Sequence, residues 1–221
     1  MAHHFFIQGP LGAGKTLIMS ILAHYWKNRV EAAGGKIDLF SNYGLLDSYP
    51  MDHYTDWYKV AESQGSIVCW DEAQMAFSNR KWGQHGQLIA TEIMMYTRKM
   101  KSVQMYCSPS INNVDSRIRQ IVEVLVTVTK VGDKGFSIHF EDYQTRTFMH
   151  RQFFPMYKAK KIFNLKLYDT FNMVQGFPLP STEKQSKPFF EKLEEIHDNA
   201  RFSKKNGIYV PTEKIEKNEA I

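Results

Sequence analysis

The sequence has no long apolar segment, few cysteines and no cluster of metal-binding residues. None of its apolar runs approaches the ~20 residues of a membrane-spanning helix, and its first residues, MAHHFFIQG, lack the layout of a secretory signal peptide. The two cysteines, Cys69 and Cys107, lie in apolar runs without a CxxC pair. That placement argues against a zinc site and indicates buried, reduced thiols. We therefore expect a soluble protein, without a transmembrane segment of its own, from a reducing compartment such as a cytosol.

Length and charge set broad limits. A chain of 221 residues suits one α/β domain, or one domain followed by a tail. Its net charge of +5 is mildly basic. That surplus is compatible with a polyanionic partner and equally with an ordinary solvated surface, so both interpretations stay open.

Strand and helix patterns alternate through the first part of the chain. Apolar strand-like runs occupy residues 4–8, 36–46, 66–74 and 102–110, and helical patterns follow them at 15–34, 55–63, 86–100 and 113–121, with Thr55 as an N-cap. This alternation predicts an α/β fold with a mainly parallel sheet flanked by helices. Residues 122–154 predict a strand, a turn around Gly132 to Gly135 and a closing β-hairpin. We expect a core over residues 1–155 and an extension over 156–221, with a helix near 189–205 and a partly mobile tail.

The first strand runs into a complete phosphate-loop motif. Gly9 to Thr16 fits G-x-x-x-x-G-K-[ST], with a predicted strand before it and a helix after it. Backbone N–H groups of such a loop and the helix N-terminus bind phosphate oxygens, while Lys15 reaches the β- and γ-phosphates and the Thr16 hydroxyl holds Mg²⁺. The predicted ATP-binding residues are Gly9, Pro10, Leu11, Gly12, Ala13, Gly14, Lys15, Thr16 and Leu17.

Two acids end the third predicted strand, SIVCWDEAQ. Asp71 would bind the Mg²⁺ beside the loop, and Glu72 would activate the attacking water as a general base. Alternatively, both acids begin a helix and interact with its dipole. A water-activating Glu would be a liability in a kinase, so the pair favours an ATPase that hydrolyses on every cycle.

The next strand, SVQMYCSPS, contributes further candidates. If it lies between the loop strand and the Asp71 strand, its end faces the γ-phosphate. Ser108 is the predicted polar sensor, with Ser110 second, although Ser108 would equally serve as a cap at the strand end. Arg117 and Arg119 follow on a short segment predicted to be exposed, where an arginine could act on a neighbouring subunit's nucleotide. Arg98 and Arg80 are rivals, and a solvated surface arginine is the alternative for each.

Together, GPLGAGKT, IVCWDEAQMAF and MYCSPSINNVDSRIRQI resemble the FtsK/HerA superfamily of P-loop ATPases, in particular its viral branch. The resemblance covers about residues 4–172. It implies an ASCE, RecA-like sheet with an extra strand between the loop strand and the Asp71 strand. It also implies a pentameric or hexameric ring with ATP at subunit interfaces. Lys15, Thr16, Asp71 and Glu72 match the family's nucleotide and hydrolysis residues. Many members carry Gln where this chain has Ser108.

Two members of that branch compete. One is the genome-packaging ATPase of membrane-containing, icosahedral double-stranded DNA viruses such as tectiviruses. The other is the zonula occludens toxin-like assembly ATPase of filamentous phages, which continues into a membrane-spanning segment. Because this sequence contains no such segment, the expectation is the packaging ATPase, with an assembly ATPase that handles protein as the alternative. A small-molecule kinase is a third class, but no arginine-rich lid is evident.

A packaging motor implies several partners. It would grip double-stranded DNA through the phosphates without reading bases, would contact capsid or vertex and membrane proteins, and would work in the host cytoplasm and at the virion packaging vertex. The DNA-contact candidates are the cationic clusters Arg80 and Lys81, Arg98 to Lys101, and Lys158, Lys160 and Lys161, with Trp82 and Tyr157 between them. Ordinary solvated clusters are the alternative.

Overall fold

A mainly parallel sheet of eight strands organises the protein, in a computed structural model that describes residues 3–77, 83–168, 174, 178–180, 182–205 and 208–211. Its strands are β1 (His4–Gln8), β2 (Asp38–Ser41), β3 (Ser48–Pro50), β4 (Ser66–Trp70), β5 (Ser102–Ser108), β6 (Val124–Val131), β7 (Gly135–Asp142) and β8 (Thr147–Pro155). The spatial order is β3-β2-β4-β5-β1-β6-β7-β8. The first six strands in that order run parallel, and β7 and β8 are antiparallel. A separate pair, β9 (Phe202–Lys205) and β10 (Ile208–Pro211), lies outside this sheet.

Helices cover both faces of the sheet. They are α1 (Lys15–Ala32), α2 (Asp56–Glu62), α3 (Ala73–Ala76), α4 (Gly83–Lys99), α5 (Ser116–Ile121), α6 (Met156–Asn164) and α7 (Glu183–Arg201), with a 3₁₀ turn at Ile111–Asn113. Since side chains alternate along a strand, neighbouring residues enter different cores. Phe6 and Tyr106 pack with residues of α2, α4 and α7. Ile7 and Cys107 pack with residues of α1 and α6.

The predicted α/β class is confirmed, including the mainly parallel sheet and the closing hairpin. β5 does lie between β1 and β4, as the resemblance implied. Local predictions need correction at α2 and α6. Thr55 occupies the N-cap position of α2, but its side chain makes no capping hydrogen bond and instead pairs with the His53 ring nitrogen at 2.9 Å. The mixed stretch after residue 155 begins with a helix, α6, that was not predicted.

The extension packs onto the core. Phe189 and Leu193 of α7 are both 1% exposed and belong to the same apolar cluster as Trp57 and Ile93. The helix runs from Glu183 to Arg201, so it begins earlier than the stretch predicted over 189–205, and residues 202–205 of that stretch form β9, paired with β10. The boundary at residue 155 stays a prediction. Within the described ranges, no helix combines the length and apolar composition that a membrane crossing requires.

Candidate nucleotide-binding site

The loop between β1 and α1 has a backbone that only glycine accommodates at two positions. Gly14, the residue before α1, has φ +83°, and a Cβ there would meet the Phe136 ring at 2.8 Å. At Gly9, with φ +156°, a Cβ would lie 2.2 Å from the Val128 carbonyl oxygen. These contacts are with β6 and β7, so the loop is packed against its neighbouring strands and presents its backbone to the other side.

Side chains of the loop divide into two groups. Pro10, Leu11 and Gly12 form an exposed tip, with Leu11 89% exposed. Ala13 and Leu17 are buried, so they would offer a nucleotide only their backbone N–H groups. Lys15 is 7% exposed and its Nζ donates to the Pro10 carbonyl at 3.1 Å. The ammonium group therefore already lies across the loop, where bound phosphate would compete with that carbonyl.

Thr16 and Asp71 meet although 55 positions separate them. The Thr16 hydroxyl lies 3.0 and 3.2 Å from the two carboxylate oxygens of Asp71. A hydroxyl and a carboxylate are the hard oxygen donors that Mg²⁺ prefers, and Mg²⁺ bound with a nucleotide needs few protein ligands because phosphate and water fill the other positions. The Thr16 and Asp71 side chains therefore fit the predicted role of Mg²⁺ ligands. In the described part of the chain no group of three or more His, Cys, Asp or Glu residues forms a metal cage.

Asp71 forms hydrogen bonds through both its side chain and its backbone. Burial raises the pKa of its carboxyl, while hydrogen bonds from the Cys107 thiol, the Thr16 hydroxyl and the Glu72 backbone favour the ionised form. Asn42, which is 2% exposed, accepts from the Asp71 N–H at 2.8 Å and donates to the Asp71 carbonyl at 3.1 Å. Sequence reasoning missed Asn42. The available signal was a polar residue directly after β2, at the same edge of the sheet as Asp71.

Glu72 has an unusual backbone. Its φ of +46° and ψ of 50° lie in the left-handed region, which costs a non-glycine residue free energy and commonly marks a functional position. The carboxylate is half-buried and accepts a hydrogen bond from the Gln74 amide. Glu72 precedes α3, yet its side chain makes no capping hydrogen bond. Since α3 begins directly after Glu72, the alternative that these acids interact with a helix dipole stays open beside the catalytic one.

The predicted sensor is in a different environment from the acids. Ser108 is fully buried, and its hydroxyl donates to the Ser110 carbonyl at 3.3 Å. The Ser110 hydroxyl accepts from the Asn112 N–H and caps the 3₁₀ turn. Both contacts match the strand-end alternative, and the sensor role stays a prediction.

The Gln8 side chain, at the end of β1, forms hydrogen bonds with two neighbouring segments. The sequence did not predict this role. Its amide oxygen accepts from the Ile111 N–H at 3.2 Å, and its amide nitrogen donates to the Thr127 hydroxyl at 3.2 Å. The Gly9 N–H also donates to the Pro109 carbonyl at 3.3 Å. These hydrogen bonds join the loop to the segment after β5.

The candidate arginines lie on α5. Arg117 and Arg119 are half-buried, which corrects the prediction of an exposed segment, because α5 packs through Ile118 into the core. Arg119 donates to the Asn112 amide oxygen at 3.4 Å. Their action on another subunit stays a prediction. Arg98 is exposed on α4, and Arg80, Lys81 and Trp82 lie outside the described residues.

The sheet order, the loop and the Thr16–Asp71 pair define a P-loop NTPase fold. No protein-family model matches the chain, and no curated protein matches it. Among solved structures, the N-terminal domain of zonular occludens toxin from Neisseria meningitidis is similar, at 17% identity and a TM-score of 0.53, over 76% of this chain and 100% of that one. The genome packaging NTPase B204 from Sulfolobus turreted icosahedral virus 2, in complex with ATP-gammaS, matches at 10% identity and a TM-score of 0.48, over 69% and 98%. The first likeness shows a shared fold.

Proposed function

We propose that the protein is a magnesium-dependent ATPase of the FtsK/HerA type. The observation that carries this proposal is the meeting of Thr16 with Asp71, next to Glu72, at the carboxyl ends of strands that β5 separates. Lys15 and the loop N–H groups would bind the phosphates, Thr16 and Asp71 would hold Mg²⁺, and Glu72 would take a proton from the attacking water. Bound Mg²⁺ would neutralise charge on the phosphate oxygens.

The finer proposal is a motor that moves double-stranded DNA into a viral capsid. Support comes from α6, where Lys158, Lys160 and Lys161 are exposed beside Tyr157, which is 61% exposed. Such a face offers cations to a phosphate backbone without any device for reading bases. Arg98, Lys99 and Lys101 add exposed charge at the end of α4. The motor would be a homo-oligomeric ring, with capsid, vertex or membrane proteins as partners, in the host cytoplasm and at the packaging vertex.

A second candidate is a phage assembly ATPase that acts on protein. The observation that favours it is the edge strand β8, whose Phe148, Met149 and Phe153 are 62%, 53% and 47% exposed. An edge strand that carries exposed apolar side chains is suited to protein contact. The fold likeness to the zonular occludens toxin domain is compatible with either candidate.

DNA-stimulated ATP hydrolysis separates the two candidates. The wild-type protein, assayed as an oligomer at low salt, should hydrolyse ATP faster when double-stranded DNA is added. The double variant Lys158→Glu/Lys160→Glu should keep its basal rate and lose the stimulation. Lys184→Glu/Lys187→Glu, which reverses two exposed charges on α7, is the matched control and should keep the stimulation. Basal hydrolysis without any response to DNA would count against the motor and favour the assembly ATPase.

A further inference from the structure

The chain returns from α6 to the nucleotide site. Residues 165–168, named here the return segment, follow α6 and reach the loop after β2. The Leu46 N–H donates to the Leu167 carbonyl at 2.7 Å, and Tyr168 forms an antiparallel bridge with Leu45. The return segment thereby joins the extension to the carboxyl-terminal edge of the sheet, where Asn42 and Asp71 lie.

Tyr168 ends this segment beside a second tyrosine. Its ring packs edge-on against Tyr43, with centroids 5.9 Å apart and planes at 71°. Tyr43 is only 2% exposed, so its ring has no other space to occupy unless the packing around it changes. Burial raises the pKa of the half-buried Tyr168, and the charge of Asp71 raises it further, which agrees with a position close to that carboxylate.

Tyr43 in turn contacts the helix that carries the metal ligand. Its hydroxyl lies 3.0 Å from the Ser20 hydroxyl, and the Ser20 hydroxyl donates to the Thr16 carbonyl at 2.8 Å. Both polar groups are buried, where a lost partner costs about 1–3 kcal/mol. The contacts therefore run without a gap from Tyr168 through Tyr43 and Ser20 to the backbone of Thr16.

We propose that Tyr168 is a positioning residue that orients Thr16 for magnesium through Tyr43 and Ser20. This inference rests on the proposed function, because it gives Thr16 the metal-binding role. It deepens that function by making the extension part of the site: α6, which carries the candidate DNA-contact lysines, is directly followed by the return segment. A displacement of α6 would then change the affinity for magnesium and nucleotide, and binding at the site would resist that displacement to the same extent.

Magnesium dependence of nucleotide binding tests the proposal without requiring hydrolysis. Binding of a non-hydrolysable ATP analogue is measured by titration calorimetry with and without Mg²⁺. In the wild type, Mg²⁺ should strengthen binding. In Tyr168→Ala this strengthening should fall severalfold, less than the roughly 10- to 100-fold typical of a group that directly contacts a metal ligand, because Tyr168 acts through Tyr43 and Ser20, while binding without Mg²⁺ stays unchanged. Tyr168→Phe, which keeps the ring, should behave as the wild type.

Two further variants test the Tyr43 contact and provide a control. Tyr43→Phe keeps the buried ring and removes only the hydroxyl that reaches Ser20, so it should show the same selective loss even if Tyr168→Ala unfolds. Tyr25→Ala removes an exposed tyrosine from α1 and is the matched control. Thermal unfolding verifies that each variant is folded.

The possible failures are distinguishable. If Mg²⁺ does not strengthen analogue binding to the wild type, the proposed metal site is wrong and this inference falls with it. If Mg²⁺ strengthens binding equally in the wild type, Tyr168→Ala and Tyr43→Phe, the proposed site stands and the positioning role is overturned. Equal loss of binding with and without Mg²⁺ in folded variants would also overturn it, since that pattern indicates general damage to the site.

Discussion

Titratable side chains at the two ends of the central strands have different environments: those at the carboxyl ends belong to the candidate site, and the one at the amino ends is packed in the core. At the carboxyl ends, Asp71 is buried and Glu72 is half-buried, and the two carboxylates accept hydrogen bonds from the Thr16 hydroxyl and the Gln74 amide. At the amino ends, His4 is 7% exposed, and its ring nitrogens face the Tyr106 hydroxyl at 3.0 Å and the Thr97 hydroxyl at 3.5 Å. Burial lowers the pKa of His4 to about 4, so the ring is neutral there.

This contrast shows that a reactive residue type does not by itself mark a site. His4 has the chemistry of an acid–base catalyst, yet its partners are buried groups of β5 and α4, and its role is packing. In parallel α/β sheets, ligands bind beyond the carboxyl ends of the strands, since loops and helix N-termini converge at that edge. Variants of Glu72, Phe189 and His4 test this division.

Glu72→Gln should separate chemistry from binding at the carboxyl edge. The amide cannot accept the proton from water, so steady-state ATP hydrolysis should fall about 10²- to 10⁴-fold. ATP binding and thermal stability should stay close to wild type. Glu62→Gln, on the exposed end of α2, is the control. A full hydrolysis rate in a Glu72→Gln protein that binds ATP would show that another group is the base.

Phe189→Ala tests packing in the core rather than chemistry at the carboxyl ends of the strands. The ring is fully enclosed between α2 and its own helix, with Tyr54 and Tyr58 in contact, so its removal should cost about 3–5 kcal/mol of unfolding free energy. Chemical denaturation measures this loss. Phe163→Ala, at a side chain 50% exposed on α6, should stay within about 0.5 kcal/mol.

The same experiment sharpens the predicted boundary. If the β1–β8 core unfolds at an unchanged denaturant concentration in Phe189→Ala, then α7 is a separate unit and the division at residue 155 is physically real. A single, coincident transition that moves as a whole would instead show that the extension and the core unfold together.

His4→Gln should lower stability at neutral pH by about 1–3 kcal/mol, because it removes a buried partner of Tyr106, and should also weaken the acid dependence of stability. The pKa of His4 is about 4 when folded and 6.5 as a model value, so the unfolded chain binds the proton more readily. The contribution of neutral His4 is therefore complete above about pH 6.5 and is lost as the pH falls toward about 4, by at most about 1.4 kcal/mol per pH unit.

Unfolding free energies between about pH 7.5 and pH 5.5 measure this effect, with a wild-type loss of about 1 kcal/mol beyond that of His4→Gln. His53→Gln, at an exposed histidine, should follow the wild-type curve. Identical acid sensitivity in the wild type and His4→Gln would mean that the buried ring does not govern the low-pH limit.

Most residues of the candidate nucleotide site could be selected from the sequence because local chemistry determines their types. A phosphate loop needs glycine at the positions corresponding to Gly9 and Gly14, Lys at 15 and a hydroxyl at 16, and a strand that ends in two acids is equally characteristic. The sheet class follows from the alternation of strand and helix patterns. Gln8 and the return segment could not be predicted in this way, because each acts through a contact between distant parts of the chain. For Asn42 the sequence offered only its position within the strand-like run 36–46, not its contact with Asp71.

Residue type and short-range spacing were enough to specify the candidate phosphate loop, the acidic pair and the alternation that produces a mainly parallel sheet. Which of the polar residues meet depended on the fold. It placed Thr16 against Asp71, turned Ser108 inward, buried His4 and brought Tyr168 back to Tyr43. The physical reason is that burial and hydrogen-bond partners are supplied by neighbouring strands and helices, and those neighbours are set by the fold rather than by adjacency in the chain.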